Sequence, residues 1–290
     1  LRLSPSRTMA LAQQLFQGIN LGNGEEGLIT YMRTDSTALS NESLSEIKNY
    51  VNKSYGDNYY ELRKYKTKSA NAQEAHEAIR PTSINRTPDS IKSFLDDDQF
   101  KLYDLIWKRT VASQMSESVN KKTTIITSSE NEKYKFKSDY DELTFDGFKK
   151  LFPEKQSDEM PSISEDDIVD LSKVDKEQKF TQHPPRYSEA SLIKTLEDLG
   201  IGRPSTYASI LNTIKDKKYV WVINRSIYLS PIGKVLVEEI KKDFSNEFMD
   251  YKFTEKMEND LDLISNGTLK RSEFVKSFWK NFEPIRNSFE

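Results

Sequence analysis

One tyrosine of this 290-residue chain lies two residues before an arginine, at the end of an apolar run. The run reads Leu28-Ile29-Thr30-Tyr31-Met32-Arg33-Thr34-Asp35-Ser36. If this segment is a strand, residues two apart share a face, so the Arg33 guanidinium would lie beside the Tyr31 phenol. A phenol is a poor nucleophile at neutral pH, and a fixed cation both favours the phenolate and binds a phosphate. The pair predicts attack on a phosphodiester; the alternative from spacing alone is packing at the edge of a core.

A histidine and an arginine form a second candidate group, Ala75-His76-Glu77-Ala78-Ile79-Arg80-Pro81. On a helix His76 and Arg80 would share a face, and Pro81 predicts a helix end at Arg80. Together they could bind one anion, and a histidine with an ordinary pKa of about 6.5 could also assist proton transfer. The alternative is a helix end with a solvated polar face.

The third candidate group runs from Gly200 to Ile210 and reads GIGRPSTYASI. The glycines predict the end of one helix, and the Pro-Ser-Thr sequence predicts the start of another. Backbone N–H groups, the hydroxyls of Ser205 and Thr206, and Arg203 would then meet at a positive helix N-terminus that suits phosphate. Basic and aromatic residues alternate further on, which is typical of surfaces that bind single strands by charge and stacking: Lys215, Lys217, Lys218, Tyr219, Trp221, Arg225, Tyr228 and Lys234. The alternative is a capped helix and a hairpin with an ordinary polar face.

Two nucleotide-binding signatures are not supported. Residues 22–27 match the pattern G-x-G-x-x-G, but they follow a predicted helix and precede a predicted strand, the reverse of the order that a dinucleotide site requires. Glu25 and Glu26 would also repel a pyrophosphate, so we interpret the segment as a surface turn. The sequence contains no G-x-x-x-x-G-K-[ST] loop for ATP.

Composition narrows the classes of protein further. The chain is 31% charged with a net charge of −3, so any surface that binds nucleic acid must be local. The absence of cysteine excludes disulfides and thiolate metal sites, and two distant histidines, His76 and His183, argue against a histidine metal centre. No apolar run is long enough to span a bilayer, and the first residues lack a signal-peptide core. We therefore expect a cytoplasmic protein with no membrane partner.

Periodicity predicts a mainly α, α+β chain in three regions. Residues 1–116 form a mostly helical, tyrosine-bearing domain, with helical patterns over 4–17, 44–51, 75–79 and 94–107 and a strand that carries Tyr31. Residues 117–183 form a β-rich segment, with strands at 124–126, 134–136, 143–148 and 168–171 and a solvated acidic loop over 154–167. Residues 184–290 are helical again, with a hairpin over 219–229 and helices over 236–248 and 253–264.

Three strings resemble the type IA DNA topoisomerases, in the order found in that family: GLITYMRTDS, QEAHEAIRPT and YSEASLIKTLEDLGIGRPSTYASILNTIKDKKYV. The similarity spans almost the whole chain. Met32 and residues 200–210 favour the bacterial topoisomerase I branch over topoisomerase III. A reverse gyrase would carry an attached helicase-like region, and this sequence contains none.

The resemblance implies a role for each candidate residue. Tyr31 would attack one DNA strand and become linked to the 5′ phosphate, leaving a free 3′ hydroxyl. Arg33 would contact the scissile phosphate, and His76 would lie near the active site. The residues expected to contact DNA are Arg80, Arg203, Ser205, Thr206 and Lys217. Relatives often have arginine where this chain has Lys217, so the charge is kept and the planar fork is lost.

Enzymes of this family begin with a Toprim domain whose acidic cluster binds Mg²⁺, and no part of this sequence resembles it. The resemblance therefore implies a fragment: a tyrosine-bearing domain, an arch segment and part of a DNA-gripping base. We expect it to bind no Mg²⁺ of its own, to be inactive alone, and to have as partners the N-terminal region and a single-stranded segment of negatively supercoiled DNA.

Two other interpretations stay open. The chain could be a non-catalytic module that binds single-stranded DNA. A tyrosine recombinase or type IB enzyme is a weaker rival, because its tyrosine usually comes late in the chain.

Overall fold

The structure is a computed structural model, and it describes residues 1–22, 24–34, 36–65, 77–154, 159–244 and 246–287. The described helices are α1 (Pro5–Gln17), α2 (Asn41–Tyr55), α3 (Pro88–Ile91), α4 (Asp97–Ala112), α5 (Glu189–Asp198), α6 (Tyr207–Asp216), α7 (Pro231–Asp243), α8 (Asn246–Met249), α9 (Tyr251–Ser265) and α10 (Arg271–Asn287). The described strands are β1 (Ile19–Asn20), β2 (Glu25–Glu26), β3 (Val119–Ser128), β4 (Lys135–Phe145), β5 (Val220–Ile223) and β6 (Ser226–Leu229). The mainly helical α+β class predicted from the sequence is confirmed.

The first helix forms where its capping signals predict it. The Ser4 hydroxyl accepts a hydrogen bond from a backbone N–H of the first turn, and Pro5 occupies the first helical position, where an N–H has no intrahelical partner. Leu11 and Leu15 lie on the same face and are fully buried. The helix predicted over 4–17 is therefore confirmed.

A hydrophobic core lies between α1, α2 and α4. Fully buried members include Leu11, Leu15, Leu28, Ile47, Val51, Ile84, Tyr103 and Val111. Trp107 donates a hydrogen bond from its Nε1 to the Ile84 carbonyl oxygen at 2.9 Å, so the buried indole keeps a polar partner. Because Leu28 belongs to this core and precedes Tyr31 by three residues, the core fixes the start of the tyrosine segment. The helices α2 and α4 confirm the helical patterns over 44–51 and 94–107.

Strands β3 and β4 form an antiparallel hairpin whose side chains are mostly exposed on both faces. The hairpin confirms the strands predicted near 124–126 and 134–136. The strand predicted over 143–148 is confirmed only as far as Phe145, where β4 ends, and a short 3-10 turn follows over Gly147–Lys150. The described part of the acidic loop is largely exposed, as predicted.

The strand predicted at 168–171 is wrong. This segment is irregular, and Ile168 is 96% exposed. An extended apolar run forms a strand only where a neighbour supplies the hydrogen bonds of a ladder, and no described strand pairs with this one.

The last third of the chain is held together by aromatic rings. Phe248 lies 4.6 Å from Phe253 and 5.9 Å from Phe282, measured between ring centroids. The hairpin predicted over 219–229 and the helix predicted over 253–264 are confirmed. The helix predicted over 236–248 is confirmed over 236–243, where α7 ends, and Phe248 belongs to the separate short helix α8.

None of the helices in the described ranges combines the length and the apolar character needed to cross a bilayer.

Candidate active site

The tyrosine segment runs antiparallel to the segment that ends the second candidate group. Ile29 and Pro81 form an isolated antiparallel bridge. The Thr30 N–H donates a hydrogen bond to the Arg80 carbonyl oxygen at 2.9 Å. The fold therefore brings together two parts of the sequence that are about fifty residues apart.

The tyrosine segment also lies against the end of α1. The Leu28 N–H donates to the Leu15 carbonyl oxygen at 2.7 Å. A Cβ atom at Gly27 would lie 2.7 Å from the Phe16 carbonyl oxygen, so this close approach requires glycine. The last glycine of the pattern thus has a packing role, while Gly22 and Gly24 lie between β1 and β2, and Glu25 and Glu26 form β2 instead of the predicted surface turn.

The Thr30 side chain ends the pairing immediately before the tyrosine. Its hydroxyl accepts a hydrogen bond from the Arg80 N–H at 2.9 Å and donates one to the Ala78 carbonyl oxygen at 2.7 Å. In a regular antiparallel ladder the Arg80 N–H would bond to the Thr30 carbonyl oxygen instead. Because the hydroxyl takes that bond, the backbone leaves the ladder, and the strand predicted to carry Tyr31 is wrong beyond Thr30.

Tyr31 itself lies at the surface. Its side chain belongs to the exposed large residues, at 42% relative accessibility, and its ring meets the edge of Phe16 with 5.4 Å between centroids and 67° between planes. An edge contact of this kind restricts the ring without covering it. The phenol is therefore accessible to a polymeric substrate. Arg33 is half-buried with its Nε atom enclosed, and its contact with a scissile phosphate stays a prediction.

The second candidate group is only partly described. His76 lies outside the described residues, and its role stays a prediction. Residues 77–80 are irregular, so the helix predicted over 75–79 is wrong in its described part. The Ala78 N–H donates to the Ala38 carbonyl oxygen at 2.8 Å, a long-range bond in place of a helical one.

Arg80 is bound to a neighbouring carboxylate. Its Nε and Nη2 atoms donate to the two Glu77 carboxylate oxygens at 2.9 and 2.8 Å, its Nη1 donates to the Pro81 carbonyl oxygen, and its side chain is 15% exposed. Glu77 also accepts a hydrogen bond from the Ser40 N–H at 2.7 Å, at the start of α2. Burial raises the pKa of Glu77, but the hydrogen bonds from Arg80 and Ser40 outweigh burial and hold that pKa below its ordinary value. Arg80 thus anchors this segment, and its contact with DNA stays a prediction.

The third candidate group forms a closed turn between α5 and α6. Gly202 has φ +78°, and a Cβ atom there would lie 3.1 Å from Ile210. The Thr206 hydroxyl accepts from the Arg203 N–H at 2.9 Å and donates to the Arg203 carbonyl oxygen at 3.0 Å. The hydroxyl predicted to face phosphate therefore also closes the turn, while Ser205 is exposed.

The Arg203 guanidinium faces carboxylates of α9. Its Nη2 lies 2.5 Å from Asp262 Oδ2, and its Nη1 lies 3.7 Å from Glu258 Oε2. Lys217 is exposed at the end of α6. The phosphate contacts of Arg203, Ser205, Thr206 and Lys217 stay predictions.

Helix α1 connects the tyrosine segment with α6. The Ser6 hydroxyl donates to Asn212 Oδ1 at 3.0 Å near the start of α1, and Phe16 touches Tyr31 near its end. The helical rise separates these two contacts by about 15 Å.

Three residues that build this site have only weak signals in the sequence. Thr30 precedes the tyrosine directly, and Glu77 lies at the spacing from Arg80 that allows a salt bridge. Phe16 was recognisable only as an apolar residue of α1.

Comparison with known proteins identifies the class. A family model described as DNA topoisomerase matches residues 1–276. The chain therefore belongs to the type IA DNA topoisomerase family. It is 45% identical over 97% of its length to DNA topoisomerase 1 of Rickettsia conorii, and 42% identical over 96% to DNA topoisomerase 1 of Xylella fastidiosa.

A solved structure has the same fold. Full-length topoisomerase I from Thermotoga maritima matches 98% of this chain with a TM-score of 0.82 and 34% sequence identity. The chain covers 47% of that protein, and it spans 37% of the Rickettsia conorii protein and 36% of the Xylella fastidiosa protein.

Proposed function

We propose that this chain supplies the nucleophile of a type IA topoisomerase, with Tyr31 as the attacking residue. The observation that carries the proposal is the exposed phenol at the point where two sequence motifs of this family meet. The core holds the backbone up to Thr30, and the ladder ends there, so the tyrosine projects from a fixed base.

The proposed reaction exchanges one phosphodiester for another. The Tyr31 oxygen forms a bond to phosphorus and loses its proton, while the bond from phosphorus to the ribose 3′ oxygen breaks and that oxygen gains a proton. The 5′ phosphate is then linked to tyrosine. Attack by the 3′ hydroxyl reverses the step after strand passage. Because the bonds broken and formed are similar, the exchange requires no ATP, and supercoiling strain drives relaxation.

Charge has to be stabilised on the phosphate during this exchange. Arg33 is the cation nearest to Tyr31 in sequence, and a guanidinium can bind two phosphate oxygens at once. We assign His76 to the same site as a group that binds phosphate or moves a proton. The DNA strand would be bound, at a distance from the cleaved bond, by Arg203, Ser205, Thr206 and Lys217. Arg80 would also contact the DNA.

The described residues do not fit a magnesium site. They include no group of three or more histidine, aspartate or glutamate side chains placed to hold a metal ion. We propose that any Mg²⁺ is held by another region of the polypeptide. The substrate would be a single-stranded segment of negatively supercoiled DNA, in the cytoplasm.

A fusion protein tests the nucleophile. We expect this chain, joined to the remaining regions of the Rickettsia conorii relative, to relax negatively supercoiled plasmid. Tyr31→Phe should abolish relaxation and the covalent adduct while keeping DNA binding. Tyr251→Phe is a matched control, since Tyr251 is 66% exposed and lies far along the sequence on α9. Relaxation by the Tyr31→Phe fusion would show that another residue is the nucleophile.

The chain alone tests whether further regions are required. We expect it to bind single-stranded DNA but to trap no adduct in the presence of Mg²⁺. An adduct at Tyr31 from the isolated chain would contradict this part of the proposal. Binding without any activity in the fusion would instead favour the non-catalytic DNA-binding module.

A further inference from the structure

The β5–β6 hairpin presents two aromatic side chains on one face. Trp221 and Tyr228 are direct cross-strand partners in the antiparallel register, and directly opposite residues project to the same side of a sheet. Trp221 is 49% exposed. Asn224 and Arg225 have φ values of +49° and +65°, the left-handed pair that closes a two-residue hairpin turn. The face is thus held by a tight hairpin.

A cation lies over the ring of Tyr228. The Ile227 N–H donates to the Tyr187 carbonyl oxygen at 2.7 Å, so the chain before α5 runs alongside β6. This bond places Arg186 so that its guanidinium carbon lies 4.4 Å from the centre of the Tyr228 ring. An arginine stacked on an aromatic ring keeps N–H groups at its rim for a phosphate.

Further positive charges lie at both ends of the hairpin. Lys217 and Lys218 are exposed where β5 begins, and Arg225 is exposed in the turn. None of these three forms a salt bridge with a residue in the described ranges, whereas the nearby Lys215 is bound to Glu189 at 2.6 Å. The charged groups that remain open to solvent therefore flank the aromatic face.

We propose that Trp221 and Tyr228, with Arg186, form a stacking platform for bases of single-stranded nucleic acid. This inference rests on the proposed function, and it adds a second contact to the turn that contains Arg203. Every base has a π face, so an indole stacks on bases with little sequence preference while flanking cations bind the phosphates. A duplex hides its base faces, so the platform selects unpaired strands.

A pair of oligonucleotides separates stacking from charge. We would measure binding of the chain to fluorescein-labelled oligothymidylate and to an abasic oligomer of equal length, by fluorescence anisotropy. We expect Trp221→Leu to weaken oligothymidylate binding by about five- to 100-fold and to leave abasic binding unchanged. Trp221→Phe keeps an aromatic face and should restore most of the loss, which also shows that the hairpin is folded.

Trp279→Leu is the matched control. Trp279 is 43% exposed and also has an arginine over its ring, Arg286 at 5.6 Å, but it lies on α10. We expect this variant to bind like the wild type. The platform is overturned by any of three results: Trp221→Leu binds oligothymidylate as tightly as the wild type does, the variant loses as much affinity for the abasic oligomer as for oligothymidylate, or the wild-type chain binds the two oligomers equally well. Each outcome is independent of Tyr31, whose chemistry is tested by the plasmid assay.

Discussion

Leu28 and Ile29, which lead to the proposed nucleophile, are 0% and 1% exposed, whereas Arg203, proposed to hold the strand, is fixed by carboxylates at the surface of α9. The described residues after 116 contribute Leu211 as their one buried large apolar side chain. A buried core holds the start of the tyrosine segment, whereas the side chain of Arg203 is held by ion pairs at the surface. The contrast indicates that Tyr31 has a fixed base, while the position of Arg203 depends on interactions that salt and substrate can replace.

Truncation of the core should give the largest effect. Ile47 is fully buried in the core that also contains Leu28, and Ile47→Ala should lower the free energy of unfolding by about 2–5 kcal/mol. Val235→Ala removes a smaller apolar group that is 57% exposed on α7, and it should change the free energy of unfolding by less than about 0.5 kcal/mol. Urea denaturation measures both. Similar losses for the two variants would remove the contrast between the regions.

Loss of the Thr30 hydroxyl should have a smaller effect on stability but a specific one on the tyrosine. Thr30→Val keeps the shape and leaves the Arg80 N–H and the Ala78 carbonyl oxygen without this partner, at a cost of about 1–3 kcal/mol. Thr30→Ser keeps the hydroxyl and should retain most of the stability.

The same pair tests positioning. In the fusion protein, Thr30→Val should slow adduct formation at saturating DNA, while Thr30→Ser restores it and DNA affinity stays unchanged in both. Equal adduct rates in the valine variant and the wild type would mean that the end of the ladder does not position Tyr31.

Local patterns predicted the elements whose stability is local. Helix α1 has a cap, a proline in its first turn and one apolar face, and the β5–β6 hairpin has a two-residue turn between two apolar runs. The errors arose where distant segments decide. Residues 77–80 bond to Thr30 and Ala38 instead of forming a helix, and 168–171 lacks a described neighbour strand.

The candidate site follows the same rule. The sequence placed Tyr31, Arg80 and Arg203 in three separate groups, and the family resemblance supplied their roles. Arg80 is bound by Glu77, three residues away in an irregular segment. Arg203 is bound by Asp262, which it meets only in the folded chain. The i,i+3 spacing allows the Glu77–Arg80 pair without requiring it, and no pattern in the sequence relates Asp262 to Arg203.

Loss of the Arg203–Asp262 ion pair tests whether phosphate can replace the surface contacts of Arg203. Arg203 and Asp262 are 29% and 30% exposed, so Asp262→Asn should lower stability by no more than about 1 kcal/mol. It should raise affinity for single-stranded DNA by up to about tenfold, because phosphate no longer competes with a carboxylate. Asp260→Asn makes the same charge change on α9 and is the control for net charge. The gain should disappear in an Arg203→Ala background; a gain that persists there would show that Arg203 is not the group released.

The smallest effect concerns acid sensitivity of the tyrosine region. The pKa of Glu77 is lowered in the folded chain, so its ionised form contributes stability that is fully present above the ordinary glutamate pKa of 4.5 and is lost as pH falls through the lowered value. Glu77→Gln should therefore be less stable than the wild type near about pH 6, and the difference should shrink near about pH 4 and below. Urea midpoints across that range measure it.

Asp146, whose pKa is lowered by the hydrogen bond from Tyr59, lies at the base of the β3–β4 hairpin. Asp146→Asn should therefore remove a separate acid-dependent contribution to stability, which adds to that of Glu77. If the difference in stability between Glu77→Gln and the wild type stays constant with pH, the charge of Glu77 does not stabilise this segment. The backbone before Tyr31 would then be held by the core and the Thr30 hydroxyl alone.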